Sequence, residues 1–192
     1  MKKTVLIKNK KSKKGFSLLE LLLVLGIIAA LVVAAFIVYP KVQASQRAQA
    51  ESNNIAAIQA GVKALYTSAS SFTGLTNTVA VQAKIFPDNM LSGSGSSAKP
   101  INAFKGNVTL AADKTGPSGA DGSSFTITYS NVPAAECTKI ITAVAGNFYA
   151  VGAGNVGIAG GLKAAGEVLD VAKTAMQCQS GGNSNTLIFT SI

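Results

Sequence analysis

A chain of 192 residues leaves room for one domain beyond a membrane segment. Its formal charge of +9 and pI near 9.7 would suggest a polyanionic partner, yet seven of the 17 basic residues (Lys2, Lys3, Lys8, Lys10, Lys11, Lys13, Lys14) fall in the first 15 positions, with no acid among them. The remainder sets ten basic residues against eight acidic ones with no basic stripe between aromatics, which excludes a nucleic-acid platform. With no histidine, no paired-carboxylate cluster and no metal-ligand set, the composition argues against an enzyme and calls for no cofactor.

The lysine block reads as a positive-inside signal, which holds the N-terminus in the cytoplasm and sends the C-terminus across. Behind it, the 19 residues from Leu21 to Tyr39 carry no charge. As a helix rising ~1.5 Å per residue they span about 28 Å, close to the ~30 Å hydrocarbon core of a bilayer. This is a membrane span. Its entry is unusual: Glu20 is a lone carboxylate flanked by Phe16, Leu18 and Leu19, where an acid costs several kcal/mol unless it finds a partner. A conventional signal peptide cut after Val42-Gln43-Ala44 fits less well, because the apolar run is longer than the ~7–15 residues of a signal core and is preceded by that acid.

Pro40 follows an interfacial Tyr39 and is expected to bend or loosen the helix. Helical composition resumes from Lys41 to Tyr66, where Ile55, Ile58, Val62 and Leu65 form an apolar stripe. The piece from Gln43 to Asn54 reads as polar around most of its surface. One helix is therefore expected from about Phe16 to Tyr66. From Thr67 to Gly106 the chain is rich in Ser, Thr, Gly and Asn, and Leu91 to Pro100 is its most linker-like part.

Two strands follow. Val108, Leu110 and Ala112 alternate with Thr109 and Ala111, and Phe125, Ile127 and Tyr129 with Thr126 and Thr128. The turn cluster Gly116 to Gly122 between them predicts an antiparallel pair. Pro133 opens a helix that carries Cys137, Ile140, Ile141 and Val144 on one face. Phe148 to Val151 reads as a strand. Leu162, Ala165, Leu169, Ala172 and Met176 read as a second helix that ends just before Cys178, and Thr186 to Thr190 as the closing strand. The fold class expected is α+β, a long N-terminal helix on an antiparallel sheet.

Cys137 and Cys178 are the only cysteines, and an even pair in an exported domain reads as a disulfide. Gly152-Ala153-Gly154-Asn155-Val156-Gly157 fits G-x-G-x-x-G, but Asp170 stands only 13 residues past Gly157. A dinucleotide fold wants its acid about 20 residues on. The segment is read as a glycine-rich loop.

Lys14-Gly15-Phe16-Ser17-Leu18-Leu19-Glu20 closely resembles the processing motif of type IV pilins and pseudopilins. With the two-cysteine C-terminal region and the final Asn185-Thr-Leu-Ile-Phe-Thr190 segment, the chain resembles type IVb major pilins of enteric bacteria that build thin conjugation-associated or adhesive pili. The resemblance implies that residues 1–15 are a cytoplasmic leader, removed after Gly15 by a prepilin peptidase that also N-methylates Phe16. It implies that residues 16–40 form the membrane and filament-core helix, and that residues 41–192 form the periplasmic and then extracellular domain. Glu20 would then face the Phe16 amine, within one chain or on a neighbour. The implied partners are further copies of the chain in a helical homo-polymer, the peptidase and an inner-membrane assembly machinery. The precursor would sit in the inner membrane and the product in an extracellular pilus serving adhesion, cell aggregation or conjugation. A pseudopilin of a type II secretion system, or a membrane-anchored periplasmic domain of other function, are the alternatives.

Processing at this motif makes Phe16 the first residue of the mature chain. Mass spectrometry of the N-terminal peptide should find Phe16 carrying one methyl group; a peptide beginning at Lys2 or Ser45 would contradict the reading.

Overall fold

The computed structural model describes residues 16–154 and 161–192. The chain divides into two units, Met1–Lys41 and Val42–Ile192. Helix α1 runs from Leu18 to Leu65, and the helical assignment continues through Pro40. Its N-terminal part contains an 18-residue stretch of mean hydropathy 3.3, none of it buried.

In the second unit, α1 presents one face to the core. Ala48, Ile55, Ile58 and Val62 are buried, the last three completely. Full burial of an Ile or Val is worth about 1.5–3 kcal/mol each. Two expectations need correction here. Leu65, placed on the stripe, is 45% exposed. It is the last helical residue, and Tyr66 beside it packs on the core instead, with its ring 5.5 Å from that of Phe72. The piece from Gln43 to Asn54 is also less polar in its surroundings than expected, since Ala48, Glu51 and Ser52 are buried.

After α1 come a short helix α2 (Asn77–Gln82) and the strands β1 (Leu91–Ser92) and β2 (Lys99–Pro100). The segment that reads as a linker thus closes into a small ladder, with Leu91 opposite Pro100 and Ser92 opposite Lys99. The main sheet contains β3 (Val108–Asp113), β4 (Ser124–Val132), β5 (Ala150–Ala153) and β6 (Asn185–Ser191), in the order β3-β4-β6-β5 and antiparallel throughout. The registers align Leu110, Ile127, Phe189 and Val151 across the four strands, and beside them Val108, Tyr129, Leu187 and Ala153. All eight side chains are buried on one face. The period-two alternation of β3 and β4 predicted this face; the insertion of the last strand between β4 and β5 it did not.

Helix α3 (Ala134–Val144) buries Cys137, Ile140, Ile141 and Val144, as its spacing predicts. The strand expected at Phe148 to Val151 starts later, at Ala150, and takes in Gly152 and Ala153 of the glycine-rich run. Asn155, Val156 and Gly157 of that run lie outside the described residues. Helix α4 (Val171–Ser180) also starts later than its apolar spacing suggests, and it contains Cys178. Gly166 has φ +74, a left-handed conformation that interrupts a helix. Before it, Leu162 and Lys163 bond to Val151 as strand-like partners. Asp170 then caps α4 by accepting from the Lys173 N–H at 2.9 Å. The buried face is Thr174 and Cys178, while Met176 is 67% exposed.

The disulfide Cys137–Cys178 joins α3 to α4 across a Cα–Cα distance of 5.7 Å, and both residues are fully buried. It links residues 41 positions apart, and the segment between them includes β5. Losing a native bridge of this kind costs about 2–5 kcal/mol. Cys137→Ser or Cys178→Ser should therefore lower the thermal midpoint of the domain, measured by circular dichroism, by roughly 4–20 degrees. A midpoint within two degrees of the parent would show that α3 and α4 are held by packing alone.

Candidate assembly site

The residues singled out at the N-terminus sit on the first unit. Gly15 lies outside the described residues. Phe16 stands two residues before the helix and is 82% exposed. Helix α1 starts with the Leu21 N–H donating to the Ser17 carbonyl at 3.1 Å, and Glu20 is exposed in its first turn. From Phe16 to Tyr39, the large apolar side chains that are described range from 46% (Val24) to 82% (Phe16) exposed. They ring the helix on every side. A helix apolar all round belongs in lipid or in a bundle of its own kind. Water is excluded as its solvent by the same ~1.5–3 kcal/mol per side chain that drives the core together. Glu20 is the single charge at the head of this surface, from Leu18 to Tyr39.

In the second unit, three polar side chains of the core-facing helix surface and its neighbours fix how that unit is put together. Glu51 is 2% exposed, on the same face as Ala48 and Ile55. Its Oε1 accepts from the Ala103 N–H at 2.7 Å and its Oε2 from Asn54 Nδ2 at 3.4 Å. The Tyr129 hydroxyl lies against the same carboxylate, with Met90 Sδ 3.8 Å from its oxygen. Burial pushes the Glu51 carboxyl above the ordinary carboxylate range, against the pull of the Ala103, Asn54 and Tyr129 hydrogen bonds. Burial and the adjacent Glu51 together push the Tyr129 hydroxyl well above its usual value.

Ala103 belongs to a loop that Asn102 organises. Asn102 Oδ1 accepts from the Phe104 and Gly106 N–H groups at 3.0 and 2.8 Å, and its Nδ2 donates to the Ser130 carbonyl at 2.7 Å. Asn131, at φ +60 in the bulge of β4, returns a bond to the Phe104 carbonyl at 2.9 Å. A Cβ on Gly106 would collide with the Ser130 carbonyl, so only glycine lets the loop approach the strand. Further along α1, Gln59 Nε2 donates to the Asn147 carbonyl and to Ser191 Oγ, each at 2.8 Å. Helix, loop and sheet are thus joined by side-chain amides and one carboxylate.

Neither Glu51 nor Gln59 stands out in the sequence as a functional residue. The available signal was their spacing: positions 48, 51, 55, 58, 59 and 62 share one face of α1, so a polar residue there must be buried. The structure brings Cys137 and Cys178 together in the second unit; Phe16 and Glu20 belong to the first.

Comparison with known proteins gives a consistent picture. Residues 45–192 match the family described as PilS N terminal, and residues 10–36 match the prokaryotic N-terminal methylation motif. The major structural subunits of bundle-forming pilus from Escherichia coli O127:H6 (strain E2348/69 / EPEC) and from Escherichia coli O111:H- are each 25% identical over 137 residues, which is 71% of this chain and 67% of theirs. A type IVb pilin from Salmonella typhi has the same fold, with a TM-score of 0.53, 22% identity, and coverage of 73% of this chain and 97% of that one. So does TcpA, a type IV pilin from Vibrio cholerae El Tor biotype, at a TM-score of 0.51, 15% identity, and coverage of 78% and 99%.

The buried carboxyl generates a pH test. Glu51 titrates higher in the folded chain than in the unfolded one, where a glutamate titrates near ~4.3. Between those two points the folded state binds more protons, so stability rises as pH falls through that window. Asp113 acts oppositely and below it: burial raises its carboxyl, but hydrogen bonds from Thr115 and the Lys114 amide outweigh burial and hold it below the ordinary range. Glu51→Gln keeps an acceptor for the Ala103 N–H and should flatten the pH dependence above about 4.3, with stability at pH 7 equal or higher. Glu51→Ala strands that N–H and should cost about 1–3 kcal/mol. Thermal melts between pH 4.5 and 8 read both; an unchanged pH profile in Glu51→Gln would move the titration to another group.

Proposed function

The chain belongs to the type IV pilins and is most like the type IVb group, and from that premise we propose that it is a prepilin that polymerises through its N-terminal helix into a surface filament. The observation that carries this reading is the helix from Leu18 to Tyr39, apolar on every side and headed by one carboxylate, directly after a Gly15-Phe16 junction within the methylation motif. Residues 1–15 are the cytoplasmic leader, cleaved and methylated by a prepilin peptidase. Residues 16–40 anchor the precursor in the inner membrane and then form the filament core. Residues 41–192 form the periplasmic domain that becomes the filament exterior. The lysine block supports this orientation, and an inner-membrane machinery is the partner that extracts the subunit. The filament serves adhesion, cell aggregation or conjugation.

Glu20 has a definite task in this scheme. Cleavage creates an amine at Phe16 that is cationic at neutral pH. A cation taken out of water into a bundle of apolar helices needs a counter-charge, and Glu20 is the one acid available before Glu51. The anion also lies in the first turn of α1, where the helix dipole favours it by about 0.3–1 kcal/mol. The pair is proposed to form between the Phe16 amine of one subunit and Glu20 of a neighbour, and so to set the axial register of the filament.

The test is Glu20→Gln. If the carboxylate is merely tolerated, its loss relieves a burial cost and filaments form as before. If it pairs with the amine, its loss leaves a buried cation alone, at a cost of about 3–5 kcal/mol. The expected variant is exported, cleaved after Gly15 and disulfide-bonded, yet recovered in sheared surface filaments at a small fraction of the parent yield. Full yield with cleavage intact would disprove the pairing.

A further inference from the structure

One of the two inner strands of the sheet reaches its place across a long stretch of chain. β6 lies between β4 and β5 and pairs with both, and Asn185 at its start stands opposite Val132 at the end of β4. Those two residues are 53 positions apart. Asn185 is fully buried and ties three segments together. Its Nδ2 donates to the Val132 carbonyl at 3.1 Å, the Cys178 carbonyl at 3.0 Å and the Gly182 carbonyl at 3.1 Å. The Ala134 N–H, at the start of α3, donates to the same Gly182 carbonyl at 2.9 Å. A Cβ on Gly181 would collide with Asn185 Oδ1, so the turn between α4 and β6 fits closely against this amide.

The end of β4, the start of α3, the end of α4 and the start of β6 thus meet at one corner, which the Cys137–Cys178 bridge spans. Through the bridge, the covalent path from Val132 to Asn185 is five positions to Cys137 and seven on from Cys178, twelve instead of 53. The entropic cost of closing a loop grows as (3/2)RT ln n, so this shortening favours the contact by about ninefold. The gain requires the bridge to be present before β6 is seated. Burial points to the same order. Cys137 and Cys178 are completely buried, and α3, which carries Cys137, packs on β6 as well as on α4. An oxidant has to reach the thiols before that packing is complete.

We propose that the Cys137–Cys178 bridge is the tether that delivers β6 to the sheet: thiol oxidation precedes insertion of β6, and the shortened path sets the strand's register from Asn185 onward. The oxidation is a dithiol–disulfide exchange. One cysteine thiolate attacks the S–S bond of a disulfide oxidant, and the other displaces the resulting mixed disulfide. The two electrons and two protons of the cysteine thiols leave with the oxidant as its two thiols. β6 then closes along both neighbours, Leu187 meeting Tyr129 and Ala153, and Phe189 meeting Ile127 and Val151. Gln59 Nε2, donating to Ser191 Oγ, completes the seat at the far end. Register matters because a slip of one residue would carry Leu187 and Phe189 off the buried face.

Refolding of the full-length chain in detergent micelles, read by pulsed hydrogen exchange and mass spectrometry, tests this. In the reduced parent refolded with oxidised glutathione, acid-quenched samples should show the bridge formed before the amides of β6 gain protection. In the Cys137→Ser/Cys178→Ser variant, those amides should gain protection about ninefold more slowly than in the parent refolded with its bridge intact. The amides of β3 should keep the parent rate. Protection of β6 ahead of the bridge in the parent would overturn the order of events, whether or not the variant folds. A β6 rate in the variant within about twofold of the parent would overturn the tether, because the shorter path would then bring no gain. Equal slowing of β3 and β6 would also overturn it, since the bridge would then act on the whole domain rather than on one strand.

Discussion

The C-terminal unit depends on one face of α1 being covered. Ile55, Ile58 and Val62 are completely removed from water, and they belong to one continuous core with Phe125, Ile127, Tyr129 and Phe189 of the sheet. Four strands with one apolar face are not stable alone, because that face needs a second layer. The helix supplies it. The polar contacts of Glu51 and Gln59 then decide which loop and which strand end meet the helix, since a buried donor or acceptor without its partner costs about 1–3 kcal/mol.

The same helix carries a different surface at its other end. From Leu18 to Tyr39 it is apolar in every direction, while from Ala48 to Val62 it is apolar on one stripe. Its averaged pattern is therefore uninformative, although each half is clear. A stripe is satisfied by a sheet within one molecule. A fully apolar cylinder is satisfied only by lipid or by other such cylinders, which is how a monomeric membrane form and a polymeric form can share one element. The proposed exchange of lipid for neighbouring helices keeps the apolar surface dry throughout and changes only what Glu20 faces.

The proposed polymerisation through a helix also requires that other adhesive surfaces stay inactive. A four-stranded open sheet is a hazard at high local concentration, because each edge is a row of unpaired backbone groups. Here the bridge of Lys163 to Val151 and the amide of Asn77 cover the two edges. The Cys137–Cys178 bridge contributes indirectly, since the segment between the two cysteines contains β5 and the residues that protect it.

Much of this molecule is legible in its sequence, for local reasons. The uncharged run announces an apolar helix long enough to cross a bilayer because hydrophobic length needs no tertiary context. The alternation around Val108–Ala112 and Phe125–Tyr129, and the spacing of Cys137 with Ile140 and Ile141, fixed which faces are buried, because strand and helix periods are set by the backbone. The start of α4, the order β3-β4-β6-β5 and the tasks of Glu51, Gln59 and Asn77 were decided only by the tertiary structure. Leu162 reads as helical by spacing, but bonding to Val151 outweighs that preference. Glu51 looks like one more surface acid until the Ala103 amide and the Tyr129 hydroxyl arrive from 52 and 78 positions away. Asn77 looks like a turn residue until the edge of β3 lies beside it. Contacts between residues far apart in the chain leave no periodicity to read, so the chemistry that they create exists only once the chain has folded.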